Sequence, residues 1–498
     1  MGRLQKFTQF AQALLPHELG YLESIAQFQD EEKQSILQKI SHNADPSHTP
    51  QAYDLQIDRR KYSYLMGWIE QKLDTISVDR QYEWISDLEQ KIMTDAITPE
   101  EEKDLLRAIA GYRQPLFYFM RFYEVVQTYR HYLLIRMRYS DHQIVDAFLQ
   151  RLRYTYDRAL YTNERIHRAT LDITKQYATR AGESWHWEPF LLNTFYDNNM
   201  DGYNRDLAAH RLAFLYVNHG QAHKLQQVYD YLDQMLRSGV YYSRRILTKY
   251  YANRLILHAK LSEWDAAEQY GYLSIRHHGS EYLQHLTNLS AVLLRQNKNI
   301  TSLNLLEAAL PEMRKTQSHH DKTGFAAFYI KSLFQNQQYS KALRYADSFL
   351  RIHDTEQLFL QRWHTFFTAY CQLLTQLEQF DTILSLARKY HLLEREQAYA
   401  HNNSNYLPHL LWYLRLAEYK EGKMSEKAME DFMEQQAELL HAQPDKRAKM
   451  QQVIREFDAQ IPIIAHQTLT KKLTKPLSTR AANTPAKIEA DTQRTSAS

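Results

Sequence analysis

Alternating arginine and tyrosine residues form the part of this sequence best suited to binding chemistry. They follow one another at steps of three and four: Arg151, Tyr154, Arg158, Tyr161, Arg165 and Arg168. On an α-helix this spacing places all six on one side, which we call the Arg/Tyr face. Guanidinium groups contact phosphates and stack on bases, and tyrosine rings provide further stacking platforms. The opposite, core-facing side is predicted to hold Val145, Leu149, Leu152, Tyr156 and Leu160.

The sequence leaves three interpretations of the Arg/Tyr face open: contact with nucleic acid, contact with protein, and simple solvation. A second group of arginines extends the basic segment: Arg113, Arg121, Arg130, Arg136 and Arg138. Residues 1–104 hold 11 Lys/Arg and 19 Asp/Glu, whereas residues 105–180 hold 13 and 6. The acidic beginning of the chain is therefore one protein surface that the face could contact. The overall pI near 8.5 is below that of strongly basic nucleic-acid-binding domains, which favours protein contact.

The segment Asp197–Gly202 resembles the first half of a calcium-binding loop. Oxygen-bearing side chains alternate along it and glycine is sixth, as such loops require. However, the ninth position is Arg205, and the twelfth, which should supply a bidentate glutamate, is Ala208. The sequence therefore predicts a turn between helices and no metal site.

No combination of residues requires catalysis to explain it. The histidine clusters His277-His278 and His319-His320-Asp321 are adjacent pairs, which point in different directions on a helix. Glycine-rich phosphate loops and a Gly-x-Ser-x-Gly elbow are missing from the sequence. Cys371 lies in an apolar stretch and is predicted to be a buried structural thiol. We expect a protein that is not an enzyme and has no cofactor. A pocket near Trp185–Asp201 is the remote catalytic alternative.

Composition indicates that helices position these residues. The 498-residue chain contains only 12 glycines and 12 prolines, so few tight turns with positive φ are available for a sheet-rich fold. Leu, Gln, Ala, Glu, Lys and Arg fill long stretches and favour helix. A clear helix start is predicted at Thr98-Pro99, with Glu101 completing a capping box. Neither a signal peptide nor a membrane span is apparent, so a soluble, cytoplasmic protein is expected.

A repeated pattern runs through the second half of the chain. An apolar or aromatic residue follows a short polar turn at Trp264, Ile300, Tyr339 and Phe380, with spacings of 36, 39 and 41 residues. Three residues later comes a small or apolar residue, Ala267 and Ala342 in the clearest copies. A period of this length is typical of stacked helical hairpins, in which the small residue allows close helix packing.

The turn aromatic followed by alanine resembles the tetratricopeptide repeat (TPR) family. The resemblance covers roughly residues 205–440 and implies an α-solenoid. It also implies a concave groove that binds peptides or protein surfaces. We therefore expect an all-α protein with an acidic N-terminal helical module (1–104) and an Arg/Tyr-rich module with a junction (105–204). A TPR-like array with a terminal capping helix (205–465) and a disordered tail (466–498) would follow.

The predicted function is that of a non-enzymatic scaffold or adaptor. Its groove would bind an unidentified partner protein or peptide, with the Arg/Tyr face as a second surface. The alternative is a nucleic-acid-associated protein that uses residues 105–180 to contact phosphates and bases. No membrane partner is expected.

Overall fold

The computed structural model describes residues 4–45, 48–113, 115–179, 183–402, 406–442 and 444–465. Within these ranges every regular element is helical and no strand occurs, which confirms the all-α fold class. The predicted disordered tail lies outside the described residues. The predicted helix start at Thr98 is confirmed, because its side chain and Glu101 form a reciprocal capping box.

The first part of the chain forms short and medium helices followed by two long ones. Their bounds are α1 (Gln5–Gln12), α2 (Pro16–Ile25), α3 (Glu31–Ala44), α4 (Arg59–Ile76), α5 (Val78–Met93), α6 (Pro99–Gly111), α7 (Phe119–Ile135) and α8 (Tyr139–Thr179). A 3₁₀ turn at Trp185–Trp187 leads into α9 (Glu188–Tyr196). At about 1.5 Å per residue, the 41-residue α8 extends for about 60 Å.

Helical pairs and short connecting helices make up the rest. They are α10 (Gly202–Asn218), α11 (Ala222–Arg237), α12 (Arg244–Lys260), α13 (Trp264–Ser274), α14 (Tyr282–Arg295), α15 (Asn299–Ala308), α16 (Leu310–Lys315), α17 (His319–Gln335), α18 (Tyr339–Ile352) and α19 (Thr355–Leu360). Then come α20 (Trp363–Gln376), α21 (Phe380–Tyr390), α22 (Leu392–Asn402), α23 (His409–Lys420), α24 (Glu426–Ala442), α25 (Pro444–Gln460) and α26 (Pro462–Ala465).

One turn conformation recurs between the two helices of a pair. In the four predicted repeats the residue with positive φ is Ser262, Asn297, Gln337 or Glu378. Its N–H donates to the carbonyl three residues back, and the next N–H donates to the carbonyl five residues back. These two bonds define the Schellman motif, which satisfies carbonyls left open at a helix end. The same pair of bonds occurs after α7, α10 and α23.

The turns correct the predicted register of one repeat. The second helix begins two residues after the positive-φ residue, which places Asn299 in line with Trp264, Tyr339 and Phe380. Ile300 was assigned to that position from its apolar character, but its side chain is 70% exposed. The polar Asn299 takes the position because the backbone turn, and not side-chain hydrophobicity, sets the register.

With Asn299 in the first position, the small-residue position three residues later is Ser302. Ser302 is fully buried, as are Ala267 and Ala342 at the equivalent places. Its hydroxyl lies 2.7 Å from that of Ser290 on α14 and 2.7 Å from that of Ser332 on α17. Three hydroxyls therefore connect three helices inside the apolar packing, and each has a hydrogen-bond partner.

The chain separates into two compact units, one formed by Met1–Ala369 with His401–Ser404 and one by Tyr370–Ala400 with Asn405–Ser498. The first unit contains two large apolar cores. One joins α1–α4 to α9–α13 and to Ile166, Ala169 and Ile173 of α8. The other joins α5–α7 to Val145, Phe148 and Leu149 of α8. The long α8 thus contributes to both cores. Residues from both sides of the expected module boundaries near 104 and 204 share these cores.

The core-facing side of α8 differs from the prediction at one residue. Val145 and Leu149 are buried, but Leu160 is exposed and its neighbour Ala159 is buried instead. Ala159 still belongs to the core with α5–α7, and the change to the other core comes between Ala159 and Ile166.

The second unit is built around aromatic packing on α23. The buried Trp412 ring meets the rings of Phe432 and Phe457, and the Tyr413 hydroxyl donates to Glu456 over 2.5 Å. Helix α25 coincides closely with the predicted terminal helix. Cys371 is fully buried, as predicted, and burial raises the pKa of its thiol.

Candidate interaction surfaces

The Arg/Tyr face forms an uncovered strip along the middle of α8. The rings of Tyr154 and Tyr161 are 79% and 65% exposed. Arg151 and Arg168 are exposed as well. Thr162 and Ile166 lie on the adjoining, buried side of the helix. Two large rings held in water have no packing role in this chain, so they are available to a partner.

The arginines of the face make few contacts with carboxylates. Arg158 forms an ion pair with Asp197 in the turn before α10. Arg165 packs against an aromatic ring instead, with its guanidinium carbon 4.0 Å from the centroid of Phe190. Arg168 lies 3.5 Å from Glu164 one turn earlier, an exposed pair that contributes little. In the described ranges, the one aromatic ring near Arg151 is that of Phe148, with the guanidinium carbon 5.9 Å from its centroid.

The preceding arginines behave differently and do not extend the face. Four of the five are held by carboxylates, which come in equal numbers from residues 1–104 and from residues 105–180. The pairs are Arg121 with Glu89 (3.1 Å) and Glu124 (2.7 Å), Arg130 with Asp146 (3.0 Å), Arg136 with Asp95 (2.7 Å), and Arg138 with Glu102 and Asp141 (2.7 Å for Asp141). Arg113 is exposed. Contact with the acidic segment of the same chain, one of the predicted alternatives, is thus made by this group of arginines.

Glu102 is the most deeply placed of these carboxylates. Its side chain is 10% exposed, and it accepts hydrogen bonds from Arg138 and from the buried Tyr129 hydroxyl at 2.6 Å. Burial and the adjacent carboxylate raise the pKa of Tyr129. Because the carboxylate is removed from water, its two donors supply the stabilisation that water would otherwise give.

The calcium-like segment is a turn between α9 and α10. Asp201 is buried and caps α10 by accepting from the Asn204 N–H over 2.9 Å. Burial raises the pKa of Asp201 to about 6. A Cβ on Gly202 would lie 2.4 Å from the Tyr241 ring, so close packing explains this glycine. Arg205 is buried and donates to the Phe195 carbonyl. No cluster of potential metal ligands occurs among the described residues.

The tryptophan-rich junction is used for packing. The Trp187 indole donates to Asp172 over 2.8 Å. Glu188 is buried and accepts from the Tyr216 hydroxyl at 3.0 Å and from Lys224 at 2.7 Å. These groups satisfy one another across α8, α9 and α10–α11. The junction therefore has the features of a structural contact between helices.

A second polar surface lies on α10 and α12. Asp206 and His210 of α10, together with Arg245, Lys249 and Asn253 of α12, line a cavity of about 20 Å³. The three α12 residues are spaced four apart and share one side of that helix. Arg245 is also bound to Asp79 at 2.9 Å. The cavity is too small for a ligand, but five polar side chains gather around it, and we call this group the α10/α12 face.

Sequence reasoning missed a buried polar cluster that holds α2 in place. The fully buried Glu18 accepts from the Tyr242 hydroxyl at 2.5 Å and from Arg244 at 2.8 Å. Next to it, His17 lies 2.8 Å from Asp233 and 2.7 Å from the Tyr251 hydroxyl. The partners are more than two hundred residues apart, so no local pattern could have revealed them. Only Pro16 at the start of a helix marks the position in the sequence.

Comparisons with known proteins give no relatives. No protein-family model matches the chain, and neither the curated proteins nor the solved structures include a similar one. Within the described residues, no helix combines the length and the apolar character needed to cross a bilayer.

Proposed function

We propose that this protein is a non-enzymatic scaffold that binds a partner protein or peptide through a TPR-like array of helical hairpins. The observation that supports the proposal most is the repeated Schellman turn, which joins α10 to α11, α12 to α13, α14 to α15 and α17 to α18 in the first unit. Each hairpin also packs against the next: α11 on α12, α13 on α14 and α15 on α17. Repeats that contact mainly their neighbours are typical of proteins whose role is to present a surface.

Within this proposal the α10/α12 face is the binding surface in the array. Its side chains are polar and only partly buried, whereas most of the remainder of α12 is taken up by the core. The side chains of Lys249 and Asn253 can donate hydrogen bonds, and His210 and Asp206 line the same cavity. Such a surface fits a peptide whose carboxylates and backbone carbonyls accept hydrogen bonds.

The test is affinity capture by the tagged full-length protein from nuclease-treated extract of its own cells, with quantitative mass spectrometry. A Lys249→Glu/Asn253→Ala variant is expected to lose the proteins that the wild type retains. Lys423→Glu serves as the matched control, because it makes a similar charge change at an exposed turn in the other unit. Retention of the same proteins by all three would contradict binding through this face.

Nucleic-acid binding is the second candidate function, and the exposed rings of Tyr154 and Tyr161 beside Arg151 support it. The charge of α8 weighs against it, because the helix carries six Lys/Arg and five Asp/Glu residues. Fluorescence anisotropy with a labelled single-stranded oligonucleotide at low and high salt tests this function. Binding should weaken steeply with salt and be lost in an Arg151→Glu/Arg158→Glu/Arg165→Glu variant. Binding that persists in this variant would exclude the face as the nucleic-acid site.

A further inference from the structure

The end of the α7–α8 hairpin exposes a group of large apolar side chains. Ile135 and Met137 are 77% and 72% exposed, and four neighbours are exposed to a similar or somewhat smaller extent. We call this group the apolar tip: Met93, Leu134, Ile135, Met137, Tyr139 and Ile144. The ion pair between Arg136 and Asp95 brings the end of α5, with Met93, to the end of α7. Four of the six, Leu134, Ile135, Met137 and Tyr139, fall within six consecutive residues, and soluble monomers rarely leave large apolar patches in water.

The folded chain itself does not require these residues at the tip. Leu133, Leu134 and Ile135 follow one another at the end of α7, and only Leu133 is buried. Met137 is the positive-φ residue of the turn, with φ of 56°, at the position that Gly220 and Gly422 hold in other hairpins. A left-handed conformation is unfavourable for a residue that carries a Cβ. An exposed methionine at such a position contributes nothing to the core of its own chain.

The charges around the tip are already neutralised within the chain. Arg136 is bound to Asp95, and Arg138 is bound to Glu102 and Asp141. The tip therefore presents an apolar centre with a rim of balanced charge, as protein interfaces do. Within the described part of the chain, Arg136 and Arg138 at this turn are thus engaged, and neither is free to attract a phosphate backbone or an anionic lipid surface.

We propose that the apolar tip binds the apolar tip of a second copy of this chain about a two-fold axis. An apolar centre with paired rim charges is self-complementary, since two identical copies meet without like-charge repulsion. Asp95 is largely exposed beside the tip, so it can also accept from Arg136 of the second copy. Stable interfaces bury about 800 Å² per partner. Six large, mostly exposed side chains provide the apolar part of such an area.

The direct test is light scattering coupled to size-exclusion chromatography of the full-length protein over a concentration series. The wild type is expected at twice the chain mass of 59.3 kDa. An Ile135→Asp/Met137→Asp variant should shift to the single-chain mass. The control is Ile300→Asp/Ile352→Asp, which changes two comparably exposed isoleucines elsewhere and should leave the dimer intact. Because all four side chains are exposed, the folded state should tolerate each change, as circular dichroism would verify.

Disulfide trapping provides a second, independent measurement. Cys371 is the only cysteine and is buried, so Met137→Cys introduces the single accessible thiol. Mild oxidation should convert most of this variant to a covalent dimer, whereas the Ile300→Cys variant should not form a covalent dimer. A wild type that stays at the single-chain mass at every concentration would overturn the proposal. Equal trapping of the two cysteine variants, or flotation of a monomeric wild type with phosphatidylcholine vesicles, would do so too.

Discussion

Two groups of arginines that are neighbours in sequence have opposite surroundings in the structure. Arg121, Arg130, Arg136 and Arg138, on α7 and the turn after it, are each bound to at least one carboxylate. Most of the Arg/Tyr face, a few turns further along α8, contacts aromatic rings or remains exposed. Among the residues that the structure describes, only Arg158 of this face has a carboxylate partner from outside α8, Asp197.

The difference follows from the distribution of charge along the chain. Residues 1–104 have an excess of eight acidic groups (19 against 11), and residues 105–180 have an excess of seven basic groups (13 against 6). Folding brings Glu89, Asp95 and Glu102 to the first group of arginines, where the two excesses partly cancel. The Arg/Tyr face lies beyond the reach of these acids. Net charge of a segment therefore says less about binding than which of its charges remain unpaired after folding.

The largest effect that this comparison predicts is the loss of Arg138. Arg138→Ala should lower the free energy of unfolding by about 3 to 4 kcal/mol, because it leaves the buried Glu102 carboxylate without its cation. Arg168→Ala on the Arg/Tyr face should change it by less than about 0.5 kcal/mol, since its pair with Glu164 is exposed.

Urea unfolding followed by circular dichroism measures both variants. Combining Arg138→Ala with Glu102→Gln should recover part of the loss, because the buried charge is then removed as well. Equal urea midpoints for Arg138→Ala and Arg168→Ala would show that the two groups of arginines contribute equally to stability. This result would contradict the expected difference between them.

How far the sequence predicts this molecule depends on the distance between interacting residues. The all-helical class and the start of α6 at Thr98 follow from composition and short-range patterns, and the structure confirms them. The spacing also placed six residues on one side of α8. The partners of the arginines were not predictable, since Asp95 and Arg136 are 41 residues apart and meet only through tertiary packing.

The repeats show the same limit at a smaller scale. The sequence pattern located the turn before α15 but assigned Ile300 to the position that Asn299 occupies. Side-chain type was the only guide to register, whereas the backbone conformation at Asn297 determines it. The TPR-like arrangement as a whole stays a prediction.

A second prediction concerns the buried carboxylate nearest the Arg/Tyr face. Unlike Glu102, Asp201 has no cation within 4 Å among the described residues, and its pKa is raised to about 6 from an ordinary 3.8. Between these two values the folded chain holds a proton that the unfolded chain has lost, so stability should fall as pH rises through this window. The shift of about two pKa units corresponds to about 2 to 3 kcal/mol.

Asp201→Asn should remove this fall. Asparagine also caps helices well, so α10 retains its N-cap. The measurement is the difference between the urea midpoints of the variant and the wild type, which should shift in favour of the variant between about pH 4 and about pH 7. Asp157→Asn, at an exposed position on α8, is the control and should leave the wild-type pH dependence in place. Parallel pH curves for wild type and Asp201→Asn would contradict the raised pKa.

The smallest change in stability is expected for the two exposed tyrosines of the Arg/Tyr face. Their replacement tests whether the face binds a partner or belongs to the fold. Tyr154→Ala/Tyr161→Ala should change the free energy of unfolding by no more than about 0.5 kcal/mol, since both rings are mostly in water. Tyr129→Ala on α7 should cost several times more, because that ring is fully buried and its hydroxyl binds Glu102. If the exposed rings serve a partner, the double variant should lose that partner at wild-type stability. A double variant that is strongly destabilised would instead show that the face belongs to the fold.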